Sequence, residues 1–183
     1  LAGVGVRVPA GRVVRAAAEV ASAAAALGAP LVVKAVVPGL VHKSEAGAVR
    51  VGLADARAAG RAAAEMAEAL AARGLAPEGF LVEEQATAGV EVLVGVADRP
   101  PVGRCVVVGL GGVEAEVLAD ASLRPWPVDA DDVAAMWDEL RGSRLLGAFR
   151  GRPPVDRAAL ALATLAIAGE KGLVAKLGPA VAE

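Results

Sequence analysis

The chain has 183 residues, enough for one domain with a sizeable core or for two small lobes. Nineteen Lys and Arg against 21 Asp and Glu give a net charge of -2, and two Trp, two Phe and no Tyr leave little on which bases could stack, so nucleic acid is not expected as a partner. No apolar run reaches the ~20 residues that cross a bilayer; Arg7, Arg12 and Arg15 interrupt the start unlike a signal peptide, and the single Cys105 forms no internal disulfide, so a cytoplasmic protein without membrane contact is expected.

The first helix is predicted over residues 13–27, where alanines surround Arg15 and Glu19, four apart and able to pair. Gly28-Ala29-Pro30 ends it. Residues 31–37 form a nearly continuous apolar run that reads as a buried strand, with Lys34 its one charge. A polar loop over residues 40–48 leads to a short strand at 49–53, and Asp55 is the expected N-cap of a helix reaching residue 72. Strands follow at 80–84, 90–96 and 104–108, the first of them carrying the hinge between lobes. Residues 113–118 and an extended segment at 123–128 precede helices at 130–140 and 154–168, and residues 142–154 form a flexible basic loop suited to an anion. The elements alternate without the beat of a doubly wound sheet, so the expected class is α+β, with a first lobe over residues 1–83 and a second over 84–183.

Lys34 is the most informative charge. A lysine among branched aliphatics loses hydration unless an anion compensates, and a phosphate would supply one; the alternative is that Lys34 lies on the exposed face of an edge strand. His42-Lys43-Ser44 contains the one histidine, whose neutral imidazole can accept and hand on a phosphoryl group while Lys43 and Ser44 steady phosphate oxygens. Taken alone, a loop histidine is more often an ordinary surface residue. Glu84 and Glu91, seven apart at strand ends, either line a cleft as acceptors for ribose hydroxyls and an adenine amino group or are simply solvated. Gly109, Gly111 and Gly112 follow an apolar strand and could offer backbone amides to a phosphate, although their spacing is neither a P-loop nor a dinucleotide fingerprint. Glu116, Asp120 and Arg124, spaced by four, read by default as surface charge.

Together these stretches resemble the ATP-grasp domain of ADP-forming acyl-CoA synthetases. The resemblance runs through Leu31-Val32-Val33-Lys34, Val41-His42-Lys43-Ser44-Glu45-Ala46-Gly47, Leu81-Val82-Glu83-Glu84, Gly89-Val90-Glu91-Val92 and Gly109-Leu110-Gly111-Gly112. It continues through Glu116-Val117-Leu118, Asp120, Arg124 and residues 149–156. Ala48 stands where the family usually has a glycine, and Glu83 and Gln85 stand where it usually has Gln and Met.

The resemblance implies an ATP-grasp fold of two lobes around a nucleotide cleft, here expected to be truncated at its C-terminal end. It implies interconversion of acyl-CoA, phosphate and ADP with carboxylic acid, CoA and ATP through an acyl phosphate and a phosphohistidine. Lys34 and Arg124 would contact phosphates, Glu84 would lie at the adenine hinge, Glu91 would take the ribose, and His42 would relay the phosphoryl group along the glycine-rich loop. ATP or ADP and Mg²⁺ are the implied cofactors, with the metal ligands expected in strands beyond Glu183 and none within this chain. CoA and the acyl substrate are expected on a partner, either an α subunit or a fused CoA-binding domain, with Arg150 and Arg152 as candidate contacts. Two other readings are a regulatory nucleotide-binding module, as in acetyltransferase fusions, and an incomplete chain with no function of its own.

Overall fold

The computed structural model describes residues 1, 3, 5–40, 43–112 and 119–169, together with the backbone of Val174–Leu177. His42 and Glu116 of the expected site lie outside the described residues. The chain divides into one unit formed by Pro9–Gln85 and another formed by Leu1–Val8 with Ala86–Glu183. The first eight residues, assigned by the sequence to the first lobe, thus go with the second unit, because Val6 is buried in its core beside Val92 and Val94.

The first unit holds a four-stranded antiparallel sheet in the order β1-β4-β2-β3, made of β1 (Gly11–Val14), β2 (Leu31–Val36), β3 (Val49–Leu53) and β4 (Gly79–Glu84). Side chains alternate across a strand, so Leu31, Val33 and Ala35 of β2 share one face with Phe80 and Val82 of β4. Two helices, α1 (Val20–Ala24) and α2 (Ala56–Ala71), bring Val20, Ala24, Ala59, Ala63, Met66 and Leu70 to the same core. Asp55 caps α2 as expected, its carboxylate accepting the Ala58 N–H at 2.6 Å. Gly60 lets the helices approach, since a Cβ there would lie 2.8 Å from that of Ala21.

The helix expected over residues 13–27 is much shorter. Val13 and Val14 belong to β1, opposite Leu81 and Phe80, and helical structure begins with a 3₁₀ turn at Ala17–Glu19. β-Branched residues suit the pleated sheet, where cross-strand pairing overrides the alanine-rich helix signal downstream. Glu19 also acts differently from the expected pairing with the Arg15 side chain. Its carboxylate accepts the backbone N–H groups of Arg15 and Ala16 at 3.0 and 2.9 Å, fixing the start of the turn.

The second unit has an antiparallel sheet in the order β7-β6-β5-β8, from β5 (Val92–Arg99), β6 (Gly103–Leu110), β7 (Ala121–Pro125) and β8 (Val174–Leu177). β8 has no counterpart among the predicted strands. Helices α3 (Ala130–Asp138) and α4 (Arg157–Gly169) cover the sheet with Val133, Met136, Trp137, Leu160 and Ile167. Asp129 and Asp132 form a reciprocal capping box at the start of α3. Inside this core the Trp137 indole N–H donates to Thr164 Oγ1 at 3.3 Å, and the Thr164 hydroxyl donates to the Leu160 carbonyl at 2.8 Å.

Leu160 and Leu162 lie two residues apart on α4 but are 1% and 69% exposed. Leu160→Ala is expected to destabilise the protein by about 2–5 kcal/mol, and Leu162→Ala to stay within about 0.5 kcal/mol of wild type; urea denaturation followed by circular dichroism checks both.

Candidate functional site

β2 lies between β4 and β3, so Lys34 sits on a central strand and the edge-strand reading does not hold. On the face turned away from the helical core, Lys34 is flanked in register by Leu81 of β4 and Val49 of β3. Its ammonium forms an ion pair with Glu83, one step along β4 on the same face. The protein itself therefore supplies an anion to the lysine. Val13, Val36 and Val51 are exposed, at 72%, 39% and 64%, and Val36 shares this face with Lys34, so a charged pair is set in largely apolar surroundings.

Glu84 projects to the opposite face of the sheet, in register with Leu31. Its Oε1 accepts the Gly28 N–H at 2.6 Å, and a Cβ on residue 28 would come within 3.1 Å of that oxygen. Gln85 extends the latch, its Oε1 accepting the Gly52 N–H at 2.6 Å and its own N–H donating to the Pro30 carbonyl at 2.8 Å. Lys34 and Glu84 are thus not brought to one face; the close partners are Lys34 with Glu83, and Glu84 with Gly28.

Lys43 and Ser44 lie in a turn over residues 43–47, and both are exposed. The turn is closed by Ala48 N–H to Lys43 O at 2.8 Å and by Gly47 N–H to Ser44 O at 3.1 Å, with Gly47 at φ +73°. Arg73, just past α2, donates to the Ala46 carbonyl at 2.8 Å, while the Ala48 methyl is fully buried. Residues 43–48, which follow His42 in the chain, are anchored by these contacts.

In the second unit Glu91 immediately precedes β5, and its carbonyl accepts the Gly111 N–H at 2.7 Å. A Cβ on Gly111 would meet the Glu91 backbone at 3.0 Å, so glycine permits the two segments to touch. Gly109 is not in a loop but within β6, where a Cβ would lie 2.8 Å from the Asp120 carbonyl oxygen. Of the three glycines expected to cradle phosphate, Gly109 and Gly111 serve close backbone packing, and Gly112 takes φ +82°.

Arg124 projects from β7 and makes a two-pronged bond to Glu139, Nη1 to Oε1 at 2.9 Å and Nη2 to Oε2 at 2.6 Å. Ser122, buried two residues earlier, donates its hydroxyl to the same carboxylate. The bond to Glu139 raises the Arg124 pKa above its ordinary value, and the Arg124 and Ser122 bonds lower that of Glu139. Asp120 is 8% exposed, and its carboxylate accepts the Arg141 and Gly142 N–H groups at 2.9 and 2.7 Å, so it holds the start of the basic segment rather than lying on the surface. That segment is more built than a flexible loop. It contains a 3₁₀ turn at Ser143–Leu146, a bridge between Phe149 and Arg152, and a Val155 N–H bond to the Leu146 carbonyl at 2.9 Å. Next to it an open depression of about 340 Å³ is bordered by Ser143, Arg144, Pro154 and the ion-paired Asp138 and Arg157.

Glu83 and Glu139 were not singled out as functional by the sequence. Their importance depends on strand register and on a helix end meeting a strand, and neither leaves a local spacing signal. Among the described residues no group of three His, Cys, Asp or Glu is placed to hold a metal, and no helix is long and apolar enough to cross a membrane.

Two antiparallel sheets, each with helical cover, are the architecture of an ATP-grasp domain. The family model described as "ATP-grasp domain" matches residues 1–170. The chain belongs to that family and, within it, to the ADP-forming acyl-CoA synthetases. It is 33% identical over 161 residues to the β subunit of acetate–CoA ligase [ADP-forming] I of Pyrococcus furiosus, covering 86% of this chain and 68% of the relative. It is 40% identical over 147 residues to a trans-feruloyl-CoA synthase from an unknown prokaryotic organism, covering 79% of this chain but 21% of that protein.

The dinucleotide-forming acetyl-coenzyme A synthetase 1 of Ca. Korarchaeum cryptofilum, solved with coenzyme A and Ca-AMPCP, superposes with a TM-score of 0.85 at 35% identity, over 93% of this chain and 75% of that one. Another structure of the same enzyme, with coenzyme A and Mg-AMPPCP, has its phosphohistidine segment pointing towards the nucleotide-binding site; there the TM-score is 0.76 at 34% identity, over 93% and 73% of the two chains.

Because the folded pKa of Glu139 is lowered, its contribution to stability is present above the ordinary value of 4.5 and is lost as pH falls through the lower folded value. Glu139→Gln removes this titration. Its urea midpoint is expected to fall less steeply than that of wild type below pH 4.5, with the difference shrinking in high salt because both partners are partly exposed; denaturation series across pH at two salt concentrations check it.

Proposed function

We propose that this chain is the part of an ADP-forming acyl-CoA synthetase that binds ATP or ADP, with His42 passing a phosphoryl group to or from the nucleotide. The observation that carries the reading is the 93% coverage of the chain, at 35% identity, by an enzyme solved with coenzyme A and a nucleotide analogue. Lys34, whose side chain is 39% exposed, has the chemistry to meet a polyphosphate, and Lys43 and Ser44 follow His42 in the chain to steady the group in transit. Glu84 and Gln85, tied at the end of β4, would border the adenine, and Glu91 would accept from the ribose. Arg124, oriented by Glu139, would face a phosphate, and Gly109, Gly111 and Gly112 would shape the backbone along the path.

In the ATP-forming direction a terminal phosphate oxygen of ADP attacks the phosphorus of phosphohistidine. The phosphorus–nitrogen bond breaks, and the electron pair returns to the imidazole of His42. Among the described residues no group of three His, Cys, Asp or Glu could hold a magnesium ion. CoA and the carboxylic acid would be bound by an α subunit or a fused domain. This accords with a relative that is itself a β subunit and with ligases of which this chain spans about a fifth. Cys105, buried within β6 and unpaired with another cysteine, accords with a reducing cytoplasm. The relatives named above are a ligase subunit, a synthase and a synthetase, which does not favour the regulatory-module reading.

Phosphoryl labelling from γ-labelled ATP, with a CoA-binding partner present, tests the assignment. His42→Ala is expected to lose the protein-bound label by at least about 100-fold; full labelling of that variant would remove His42 from the path. Lys34→Met is expected to weaken ATP binding by about tenfold, as read by calorimetry.

A further inference from the structure

Glu83 faces Gly11 of β1 and Val32 of β2 in register, while Lys34 faces Leu81 and Val49. The two charges are diagonal neighbours on adjacent strands, a spacing that long side chains bridge. With apolar or glycine partners directly across, each is the charge nearest to the other. Gly11 makes room for the pair, since a Cβ there would fall 2.9 Å from the Glu83 Cβ. Two other charges nearby are committed elsewhere. Glu84 is on the opposite face with Gly28, and Arg50, in register with Val33, donates to the carbonyls of Gly47 and Val49. The Glu83 side chain is 17% exposed and that of Lys34 39%, so the carboxylate lies deeper and the ammonium further out.

We infer that Glu83 is a built-in counter-ion with which a polyphosphate competes for Lys34, so that it sets nucleotide affinity below what the lysine alone would give. The inference rests on the reading of Lys34 as a phosphate contact. Binding exchanges one anion on the ammonium for another and brings the phosphate chain close to a carboxylate that repels it. Neutralising Glu83 removes the competitor and the repulsion together, and the gain grows with ligand charge: largest for ATP, smaller for ADP, absent for adenosine. The conversion of Glu83 to glutamine keeps size and an acceptor oxygen and removes only the charge.

The test is calorimetric titration of wild type, Glu83→Gln, Glu83→Ala and Lys34→Met with ATP, ADP and adenosine at two salt concentrations, with thermal unfolding to confirm that each variant folds. Glu83→Gln is expected to bind ATP about tenfold tighter, ADP by a smaller factor and adenosine as wild type does, with a steeper salt dependence for ATP. Glu83→Ala should shift in the same direction and stands in should the glutamine variant not fold. ATP binding that is unchanged or weaker in both Glu83 variants, with Lys34→Met weakened, would overturn the counter-ion role and leave the lysine's role intact. Unchanged ATP binding by Lys34→Met, or none by wild type, would instead sink the reading of Lys34 and this inference with it.

Discussion

A side chain in the middle strand of a sheet has its neighbours dictated by the strands paired on both sides and by the alternation of faces along the strand. In this protein that constraint falls on Lys34. β2 is paired on both sides, its odd-numbered residues fill the core under α1 and α2, and its even-numbered residues face away from them. The lysine therefore emerges between Leu81 and Val49 onto a face with no helix of its own unit over it, and Glu83 meets it there. The same alternation sends Glu84 to the other face, where a backbone amide holds it. Two adjacent glutamates thus acquire separate tasks from the two-residue period of a strand.

The second unit uses the same device in a different setting. Arg124 is held by Glu139, and Glu139 is also held by Ser122, so the direction of the guanidinium is fixed by a helix end docking on β7. Asp120 does comparable work for the backbone by accepting two consecutive amides where the chain turns after Leu140. Glycine completes the arrangement. Gly109 and Gly111 permit contacts with neighbouring backbone that a methyl group would block, which explains their spacing without a P-loop.

On the proposed function, these arrangements share a purpose. Phosphoryl transfer asks little covalent chemistry of the protein beyond a nucleophile, and much placing of charge around a moving group. Cations fixed by carboxylates suit that demand, because their direction is set before a ligand arrives and their attraction is moderated. The chain spans 68% of the length of the β-subunit relative and 21% of that of the trans-feruloyl-CoA synthase.

The sequence by itself determined the element types of the strongly patterned segments, the cap at Asp55, the α+β class and, through the order of its motifs, the family. Those features are written in local chemistry: apolar period, helix-capping acids, glycines and runs of branched residues. It misplaced the first helix because alanine content is a local signal, whereas Val13 and Val14 are claimed by β4 more than sixty residues away. Only the tertiary structure decided that β2 is central, that Lys34 answers to Glu83, that Arg124 answers to Glu139, and that Gly111 donates its amide to Glu91. Each of these depends on register or on the docking of distant segments, and a side chain's partner across a sheet is fixed by which strands pair and where, which no spacing along the chain records.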